Sequence, residues 1–518
     1  WQSASKPGHA KRGMITMKNS LGREIPEGNK PFISAANFSE RIYHEAKEKK
    51  SAENVVFLNS LEAAFDVLSI MPGMRLSFHH HLRSGDHVIN EVAKLIEKHD
   101  LRDISLAPSS IFPEYMLAPL IRSGRIRDIH TSYLNGPVAI AIQEGFLKGH
   151  LVMQTHGGRA RAIEEGELPI DVAFLSCPTV DSSGNGSGAV GKSACGALGY
   201  GISDLYHAKK VVLVTDNIVE KLDEYQFDHR YVDYVVKVPS IGDPEGIVSG
   251  TTKITRDPIG LKIANITALL LDKLGLLETG TSLQTGAGGT SLAVMEQIEK
   301  KMRSKKATGS FLSGGITGYH VEMLESGIFK NIYDVQCFDL EAVRSYRENS
   351  GHIGISASQY ANPFYKDAIV DKLDAVILGA TEIDLDFNVN VTSDSFGNII
   401  GGSGGHSDTA HGAKTTIITS ALTKARIPII KEHVTTVTTP GEDVDILVTE
   451  RGIAINPLRK DILEKLNDSG LPLIDIRELM ELSHKICGVP ADIAKPAKTI
   501  GYVEYRDGTV IDSLYKTR

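Results

Sequence analysis

Residues 374–381 read DAVILGAT, and residues 171–175 read DVAFL. Each segment is a short apolar run that begins at an aspartate, which is typical of a buried strand in a parallel sheet. From Asp171 to Asp374 the offset is 203 residues, and the same offset recurs along the chain. Further matches at this offset are Ser123-Gly124 with Ser326-Gly327 and Gly85 with Gly288. A repeated register predicts one duplicated α/β unit.

Helix and strand patterns around this repeat support the same fold class. Residues 210–215 and 444–449 are β-branched runs of strand length. Leu292, Met295, Ile298 and Met302 recur at helical spacing, with Thr290 or Ser291 as the predicted N-cap. We therefore predict two tandem, related α/β domains with parallel-rich sheets, whose strand-end loops meet in an active cleft between them.

The chain has 518 residues, which suits two or three domains. We predict an N-terminal arm at residues 1–54, a first domain at 55–278 and a second domain at 279–518. The sequence does not begin with Met, so we expect residues 1–13 to be an appended tip and Met14 or Met17 the natural start. These first residues lack the apolar core of a signal peptide.

Composition excludes several classes of protein. The net charge of −8 gives no basic field for a nucleic acid partner, and no apolar run is long enough to span a membrane. The four cysteines are far apart and show no zinc-site spacing, which predicts a reducing cytoplasm and no structural metal.

An acid and a glycine-rich loop follow the strand at 374–381. Glu382 lies at the strand end, and residues 401–408 read GGSGGHSD. A carboxyl group near bare backbone N–H donors suits acyl transfer, with Gly401, Gly402, Gly404 and Gly405 as the oxyanion and thioester site. The alternatives are a solvated strand face at 382–390 and a flexible turn. Ser403, His406 and Asp408 are too close in sequence to be assumed a catalytic triad.

Other candidate residues lie in both halves. The loop of Gly286, Gly288 and Gly289 precedes a helix and could hold a phosphate or carboxylate of a cofactor. In the first half, His79, His80, His81, Arg159 and Arg161 are candidates for binding substrate carboxylates; a metal site at the three histidines is disfavoured, because consecutive strand residues alternate faces. The basic run at 300–306 is either a solvated helix end or a docking site for an acidic carrier.

Several long motifs resemble those of the coenzyme A-transferase superfamily, in matching order. They are LQTGAGGTSLAVMEQI at 283–298, GYHVEMLESGIF at 318–329, GATEIDLDFNVN at 379–390, GGSGGHSDTAHGA at 401–413 and VTTPGEDVDILVTERGIA at 437–454. In the first half, SFHHHLRSGDHVINEV at 77–92 and the segment at 155–188 resemble the citrate lyase alpha chain family in particular. The resemblance covers nearly all of the chain from about residue 20.

This resemblance implies two coenzyme A-transferase domains that exchange acetyl for citryl on an acyl-carrier thioester, with acetyl-CoA as a further substrate. It implies no cofactor bound covalently to this chain, since the carrier (gamma) subunit bears the phosphoribosyl-dephospho-CoA arm and a beta subunit cleaves the citryl thioester. Citrate and acetate are the implied acids, and an oligomer is expected.

The resemblance also bears on the site residues. Related transferases use the glutamate that matches Glu382 as a nucleophile, whereas the citrate lyase branch is thought to let the substrate carboxylate attack through a mixed anhydride. Glu382 is therefore either a nucleophile or an orienting carboxylate. Within the same motifs, Glu322, Asn388 and Glu450 are secondary candidates. Three alternatives stay open: a citramalate lyase alpha chain, an acyl-CoA hydrolase and a non-catalytic scaffold.

Overall fold

Two large sheets, one for each predicted half, organise the chain. The computed structural model describes residues 16–35, 55–248, 254–286, 288–490 and 498–517. The predicted tip at 1–13, Met14 and part of the predicted arm lie outside the described residues.

The first sheet has ten strands. Only the edge strand Val510–Tyr515, the last in the chain, runs antiparallel to its neighbour. In spatial order they are Val510–Tyr515, Thr499–Glu504, Leu151–Met153, Ile126–Thr131, Ile104–Pro108, Arg75–Phe78, Val172–Ser176, Lys210–Thr215, Tyr234–Lys237 and Val56–Leu58.

The second sheet has eight strands, again parallel except for one edge strand. In spatial order they are His352–Gly354, Phe329–Cys337, Gly309–Ile316, Ser282–Thr285, Ala375–Gly379, Thr416–Thr419, Ile446–Thr449 and Gly452–Ile455. The predicted α/β class with parallel-rich sheets is confirmed.

Helices cover these sheets, as parallel strands require. They are Leu61–Leu68, Val88–Lys98, Ala118–Arg122, Gly136–Gln143, His156–Glu164, Ile202–His207, Pro258–Lys273, Gly289–Lys305, Gly318–Glu325, Leu340–Glu348, Ala357–Ala361, His406–Gly412, Lys460–Leu466 and Ile476–Cys487. Short strands outside the two sheets are Thr16–Lys18, Glu24–Pro26, Thr179–Asp181, Gly186–Ser187, Ile218–Val219, Glu382–Asp384, Val389–Asn390, Thr423–Lys424, Ile427–Pro428 and Ile430–Lys431. Within the described ranges no helix has the length and apolar character of a membrane span.

The predicted repeat extends to matched hydrogen bonds. The strand Thr179–Asp181 matches Glu382–Asp384 at the offset of 203 residues. In the first half, Asn185 donates its side-chain amide to Asp181 over 3.0 Å. In the second half, Asn388 donates in the same way to Asp384 over 3.2 Å. Both halves therefore close the turn after this strand with one Asp–Asn pair.

The predicted helix after the second glycine loop is present, but its N-cap is not the predicted residue. Leu292, Met295, Ile298 and Met302 are all buried on the helix Gly289–Lys305. Gly288 is the N-cap, rather than Thr290 or Ser291. The helix begins earlier because its first turn starts at Gly288 and Gly289. The periodicity of apolar residues cannot detect a start at two glycines.

Two elements cross the predicted division at residue 279. The helix Pro258–Lys273 packs against Gly289–Lys305 of the second half. Conversely, the hairpin of Thr499–Glu504 and Val510–Tyr515 adds to the first sheet beside Leu151–Met153. The two halves are thus interlocked at both ends, which holds the cleft between them.

Candidate active site

A cavity of about 480 Å³ lies between the two halves. From the second half it receives the carboxyl ends of three neighbouring strands, Ser282–Thr285, Gly309–Ile316 and Ala375–Gly379. Open parallel sheets bind ligands at this end of their strands. The lining residues are Tyr133, His156, Tyr200, Gln284, Thr285, Gly286, Gly288, Gly314, Gly315, Phe338, Tyr360, Leu378, Gly379, Ala380, Thr381, Val391, Ile400, Gly401, Gly402, Ser403, Gly405 and His406. None of them is an Asp, Glu, Lys or Arg, so the described part of the cavity wall carries no acidic or strongly basic side chain.

The loop 401–405 forms one wall of the cavity and joins the halves. Gly404 donates its N–H to the carbonyl of Ser132 over 3.0 Å and accepts from the N–H of His156 over 2.8 Å. A Cβ on Gly402 would lie 2.4 Å from the Ser132 carbonyl oxygen, so only glycine fits there. Among the described residues, no acceptor pairs with the N–H of Gly402 or Gly405. These two donors are free for a ligand.

The second glycine loop also lines the cavity. Gly286 and Gly288 line the cavity, and Gly289 is the first residue of the helix behind them. The helix has no side-chain cap at Gly288. A Cβ on Gly288 would meet no atom within 4 Å, so this part of the wall is open. An uncapped helix start beside a cavity suits an anion or a polarised carbonyl oxygen.

Glu382 lies outside the cavity lining and is fully buried. Its Oε2 accepts from Asn390 Nδ2 over 3.0 Å and from the Thr435 N–H over 2.8 Å. Its Oε1 accepts from Ser395 Oγ over 2.6 Å and from Thr435 Oγ1 over 3.2 Å, with Lys431 Nζ 3.9 Å away. This carboxylate holds the chain that leads from residue 390 to the glycine loop. The alternative of a solvated strand face is wrong for Glu382, since no part of it reaches solvent.

The three consecutive histidines lie beyond the strand Arg75–Phe78 in a buried stack of rings. His79 donates from Nε2 to the Ser176 carbonyl over 2.7 Å, and His80 Nδ1 bonds Ser109 Oγ over 2.6 Å. The ring centroid of His80 is 4.7 Å from that of Tyr200, which lines the cavity. Burial lowers the pKa of His79 to about 4 and the pKa values of His80 and His81 well below normal. The stack is therefore neutral and supports the cavity from behind.

Arg159 and Arg161 are placed away from the cavity. Arg159 forms an ion pair with Asp204 over 3.0 Å beneath the first sheet, where both side chains are buried. Arg161 contacts Glu165 and Glu167 over 2.6 Å each. Both guanidinium groups already hold carboxylates of the protein, because a buried cation needs a partner. This geometry does not support their predicted contact with substrate.

Ser403, His406 and Asp408 do not form a triad. His406 donates from Nε2 to the Gly379 carbonyl over 2.9 Å, and its Nδ1 bonds Thr439 Oγ1 over 2.8 Å. Asp408 instead accepts from Thr155 Oγ1 over 2.8 Å and from the Gly157 N–H over 2.9 Å. Asp408 thus ties the helix His406–Gly412 to the first half, which fixes the glycine loop between them.

The secondary candidates also lie apart from the cavity. Glu322 is exposed on its helix, and Asn388 accepts from the Gly441 N–H over 2.9 Å while it closes the Asp384 turn. Glu450 accepts from the Leu422 N–H over 2.9 Å at a hairpin tip. Within the basic run, Lys300, Lys301, Arg303 and Lys305 are all paired with carboxylates, the pattern of a solvated helix end.

Several cavity residues were not predicted. Gln284 donates to the Tyr360 hydroxyl over 2.7 Å, while Gln284 Oε1 and Thr285 Oγ1 are buried without a partner among the described residues. Both residues end a central parallel strand, so the strand-end rule could have found them. Tyr133 and Tyr200 carry no sequence signal.

Elsewhere, Asp334, Cys337 and His352 bring potential metal-ligand atoms within 4.8 Å of one another, and the absence of a metal stays a prediction.

Comparison with known proteins identifies the family. The family described as "Citrate lyase, alpha subunit" matches residues 54–517. The chain is 42% identical to the citrate lyase alpha chain of Klebsiella pneumoniae over 496 residues, which covers 95% of this chain and 97% of that one. It is 42% identical to the alpha chain of Haemophilus influenzae, with coverage of 93% and 95%. The chain belongs to the citrate lyase alpha subunit family.

Solved structures agree with this family. The alpha subunit of citrate lyase from Streptococcus mutans, in complex with citrate, superposes with a TM-score of 0.92 at 40% identity and covers 96% of this chain and 99% of that one. A Pseudomonas malonate decarboxylase, solved as a hetero-tetramer with malonate, shares the fold with a TM-score of 0.62 at 15% identity, covering 84% of each chain. Members of the citrate lyase alpha subunit family are, by their names, one subunit of a multi-subunit enzyme. The citramalate lyase and acyl-CoA hydrolase alternatives are not favoured.

Proposed function

We propose that this chain performs the transferase step of citrate lyase, in which an acetyl thioester and citrate give a citryl thioester and acetate. The observation that carries the proposal is the cavity between the halves, which two glycine loops line and where no described acceptor pairs with the N–H groups of Gly402 and Gly405. A cavity of about 480 Å³ can hold a small acid together with the end of a thioester arm.

The chemistry requires no acidic or basic side chain in the cavity. A citrate carboxylate oxygen attacks the acetyl carbonyl carbon, and the carbon–sulfur bond breaks to release a thiolate and leave a mixed anhydride. The thiolate then attacks the citryl carbonyl carbon of the anhydride. The bond from this carbon to the bridging oxygen breaks, and acetate departs with that oxygen. Because a thiolate is a good leaving group, the main demand is to stabilise the oxyanion of each tetrahedral intermediate. The N–H groups of Gly402 and Gly405 are the proposed donors.

In this proposal Glu382 positions the glycine loop and is not acylated. Its buried carboxylate accepts four hydrogen bonds from Asn390, Ser395 and Thr435, and it does not line the cavity. A nucleophile needs a free oxygen within reach of the thioester. The contacts of Glu382 instead fit an anchor for the segment that leads to Gly401.

The proposed carrier is a separate gamma subunit with a phosphoribosyl-dephospho-CoA arm, and a beta subunit cleaves the citryl thioester. This chain then needs no covalent cofactor of its own. The open wall at Gly286 and Gly288 is the proposed entrance for the arm, because the helix start behind it favours a polarised or anionic group.

An isotope-exchange assay on the isolated chain tests this function. We expect labelled acetate to enter acetyl-CoA, and citrate to convert acetyl-CoA to a citryl thioester with release of acetate. Release of free thiol without any acceptor acid would indicate a hydrolase instead. No exchange with either acid would leave only a scaffold role and would refute the proposal.

A further inference from the structure

Arg83 is placed behind the cavity wall, against Phe338, by a loop that only the first half possesses. Residues 79–87 join the strand Arg75–Phe78 to the helix Val88–Lys98, whereas residues 286–288 make the matching connection in the second half. The longer loop adopts a strained turn, with Arg83 itself at φ +51°. A non-glycine residue in this conformation costs about 1 kcal/mol or more, which its surroundings must offset.

The guanidinium of Arg83 is held between aromatic rings. Its Cζ lies 4.4 Å from the centroid of Phe338 and 5.5 Å from that of Phe112. Tyr133, Tyr200, Tyr115 and His80 interact with it electrostatically, and burial lowers its pKa from the ordinary value. Arginine nevertheless stays charged in proteins. The rings fix the plane of the guanidinium and so orient its donors.

This cation has no anionic partner in the part of the chain that the structure describes. Its Nη1 is buried and forms no hydrogen bond, and no carboxylate lies within ion-pair distance. By contrast, the buried guanidinium groups of Arg159 and Arg161 both hold carboxylates. An unpaired, partly buried cation beside a cavity is a ready site for an anion.

Arg83 lies next to residues of the cavity wall. Phe338, Tyr133 and Tyr200 all line the cavity, and no charged side chain is among the described residues of its wall. Oxyanion stabilisation at Gly402 and Gly405 accounts for the reacting carboxyl group. Citrate carries two more carboxylates, and neither has a cation in the cavity wall itself.

We propose that Arg83 binds a non-reacting carboxylate of the tricarboxylate substrate and thereby selects it over a monocarboxylate. The inference rests on the proposed transferase function. Acetate has only the reacting carboxylate, so it does not use Arg83. A carboxylate of citrate and a phosphate of the carrier arm share the required chemistry, and the kinetics below distinguish them.

The test compares three variants in the exchange assay. Arg83→Met keeps the apolar stem and the stacking volume but removes the charge, and Arg83→Lys keeps the charge without the two-pronged geometry. Arg347→Met, on the exposed face of Leu340–Glu348, is the matched control. We expect Arg83→Met to raise the KM for citrate about ten- to a hundredfold, the range for one charge-assisted hydrogen-bonded contact, with Arg83→Lys intermediate. Exchange of acetate should change less than about twofold.

Three results would overturn the assignment. The first is an unchanged KM for citrate in Arg83→Met. The second is an equal loss of exchange with acetate and with citrate, which would indicate a packing role only. The third is a raised KM for acetyl-CoA alone, which would assign the contact to a phosphate of the arm. If the wild-type chain exchanges neither acid, the proposed function fails, and calorimetric binding of citrate to wild type and Arg83→Met still tests Arg83 separately.

Discussion

Substituting Glu382 by glutamine separates an anchoring carboxylate from a nucleophilic one. The carboxylate Oε2 faces two groups that can only donate, Asn390 Nδ2 at 3.0 Å and the Thr435 N–H at 2.8 Å. The Oε1 faces two hydroxyls, Ser395 Oγ at 2.6 Å and Thr435 Oγ1 at 3.2 Å. Since hydroxyls can also accept, a glutamine amide can place its oxygen at the first pair and its NH₂ at the second. All four hydrogen bonds can therefore be kept.

What glutamine loses is the charge opposite Lys431. The Lys431 Nζ lies 3.9 Å from Oε1 and its side chain is 13% exposed. Two unit charges at this distance attract by about 4 kcal/mol at an effective dielectric constant near 20, but the neutral amide also avoids the desolvation of a buried carboxylate. We expect a net loss of about 1–2 kcal/mol in the free energy of unfolding. Glu382→Ala, which leaves the Thr435 N–H and Lys431 without partners, should cost about 3–5 kcal/mol.

The assay is exchange of labelled acetate into acetyl-CoA, with stability followed by urea unfolding. An anchor predicts that Glu382→Gln keeps activity to within about tenfold, as its small loss of stability allows. A nucleophile predicts a loss of roughly a thousandfold or more, because an amide cannot form the acyl anhydride. Borohydride or hydroxylamine treatment after incubation with acetyl-CoA should leave Glu382 unmodified. A labelled Glu382, or a thousandfold loss in a stably folded Glu382→Gln, would refute the anchoring role.

Two further predictions concern the candidate site, and a third concerns Asp86, a buried acid whose carboxylate accepts from the N–H of Val88 at the start of the helix Val88–Lys98. Gly402→Ala should abolish exchange, because its Cβ would lie 2.4 Å from the Ser132 oxygen, whereas Gly288→Ala, with nothing within 4 Å, should fold normally; equal melting temperatures and activities would contradict this. Between pH 5.5 and 8 the exchange rate should show no histidine titration, because burial lowers the pKa of His156 to about 3 and that of His406 to about 4. Burial raises the pKa of Asp86 to about 7 in the folded chain, so its contribution to stability is present below about pH 4 and is lost as the pH rises to 7. Asp86→Asn should therefore be more stable than wild type at pH 8, by up to about 4 kcal/mol, and the gain should vanish at pH 4 in urea titrations.

The fold was predictable because its signals are local and repeated. Apolar runs such as 210–215 and 374–381 predict buried parallel strands, and the offset of 203 residues shows that the chain contains two copies of one unit. The exchange of elements between the copies was not predictable in the same way. Thr499–Glu504 pairs with Leu151–Met153 across several hundred residues of sequence. An alternating pattern predicts a strand but does not show which other strand it pairs with.

For the candidate site, the sequence pointed to the glycine loops, whose use depends on backbone chemistry, but could not show the surroundings of the charged side chains, which depend on the tertiary fold. Two glycine loops indicated close approach to a ligand, and the structure places both on one cavity. For charged residues the sequence shows which residues are present, but not which groups surround them in the folded chain. Arg159 and Arg161 are chemically as suitable as Arg83, yet both meet protein carboxylates that only the tertiary fold brings near. Whether a cation is free depends on such distant partners.

The first half provides an internal comparison for Glu382. The residue at the matching position is Thr179, at the start of the matching short strand. Thr179 Oγ1 donates to the Val190 carbonyl over 2.8 Å and accepts from Asn217 over 3.0 Å. It thus fastens the segment after its own turn, as Glu382 fastens residues 390–395. A threonine makes these contacts in the first copy, which supports the proposed anchoring role of this position, and the carboxylate is what the second copy adds. The second copy also carries the glycine loop, which bonds the Ser132 carbonyl through the Gly404 N–H, and a stronger acceptor at this position fits the proposed anchor of that loop.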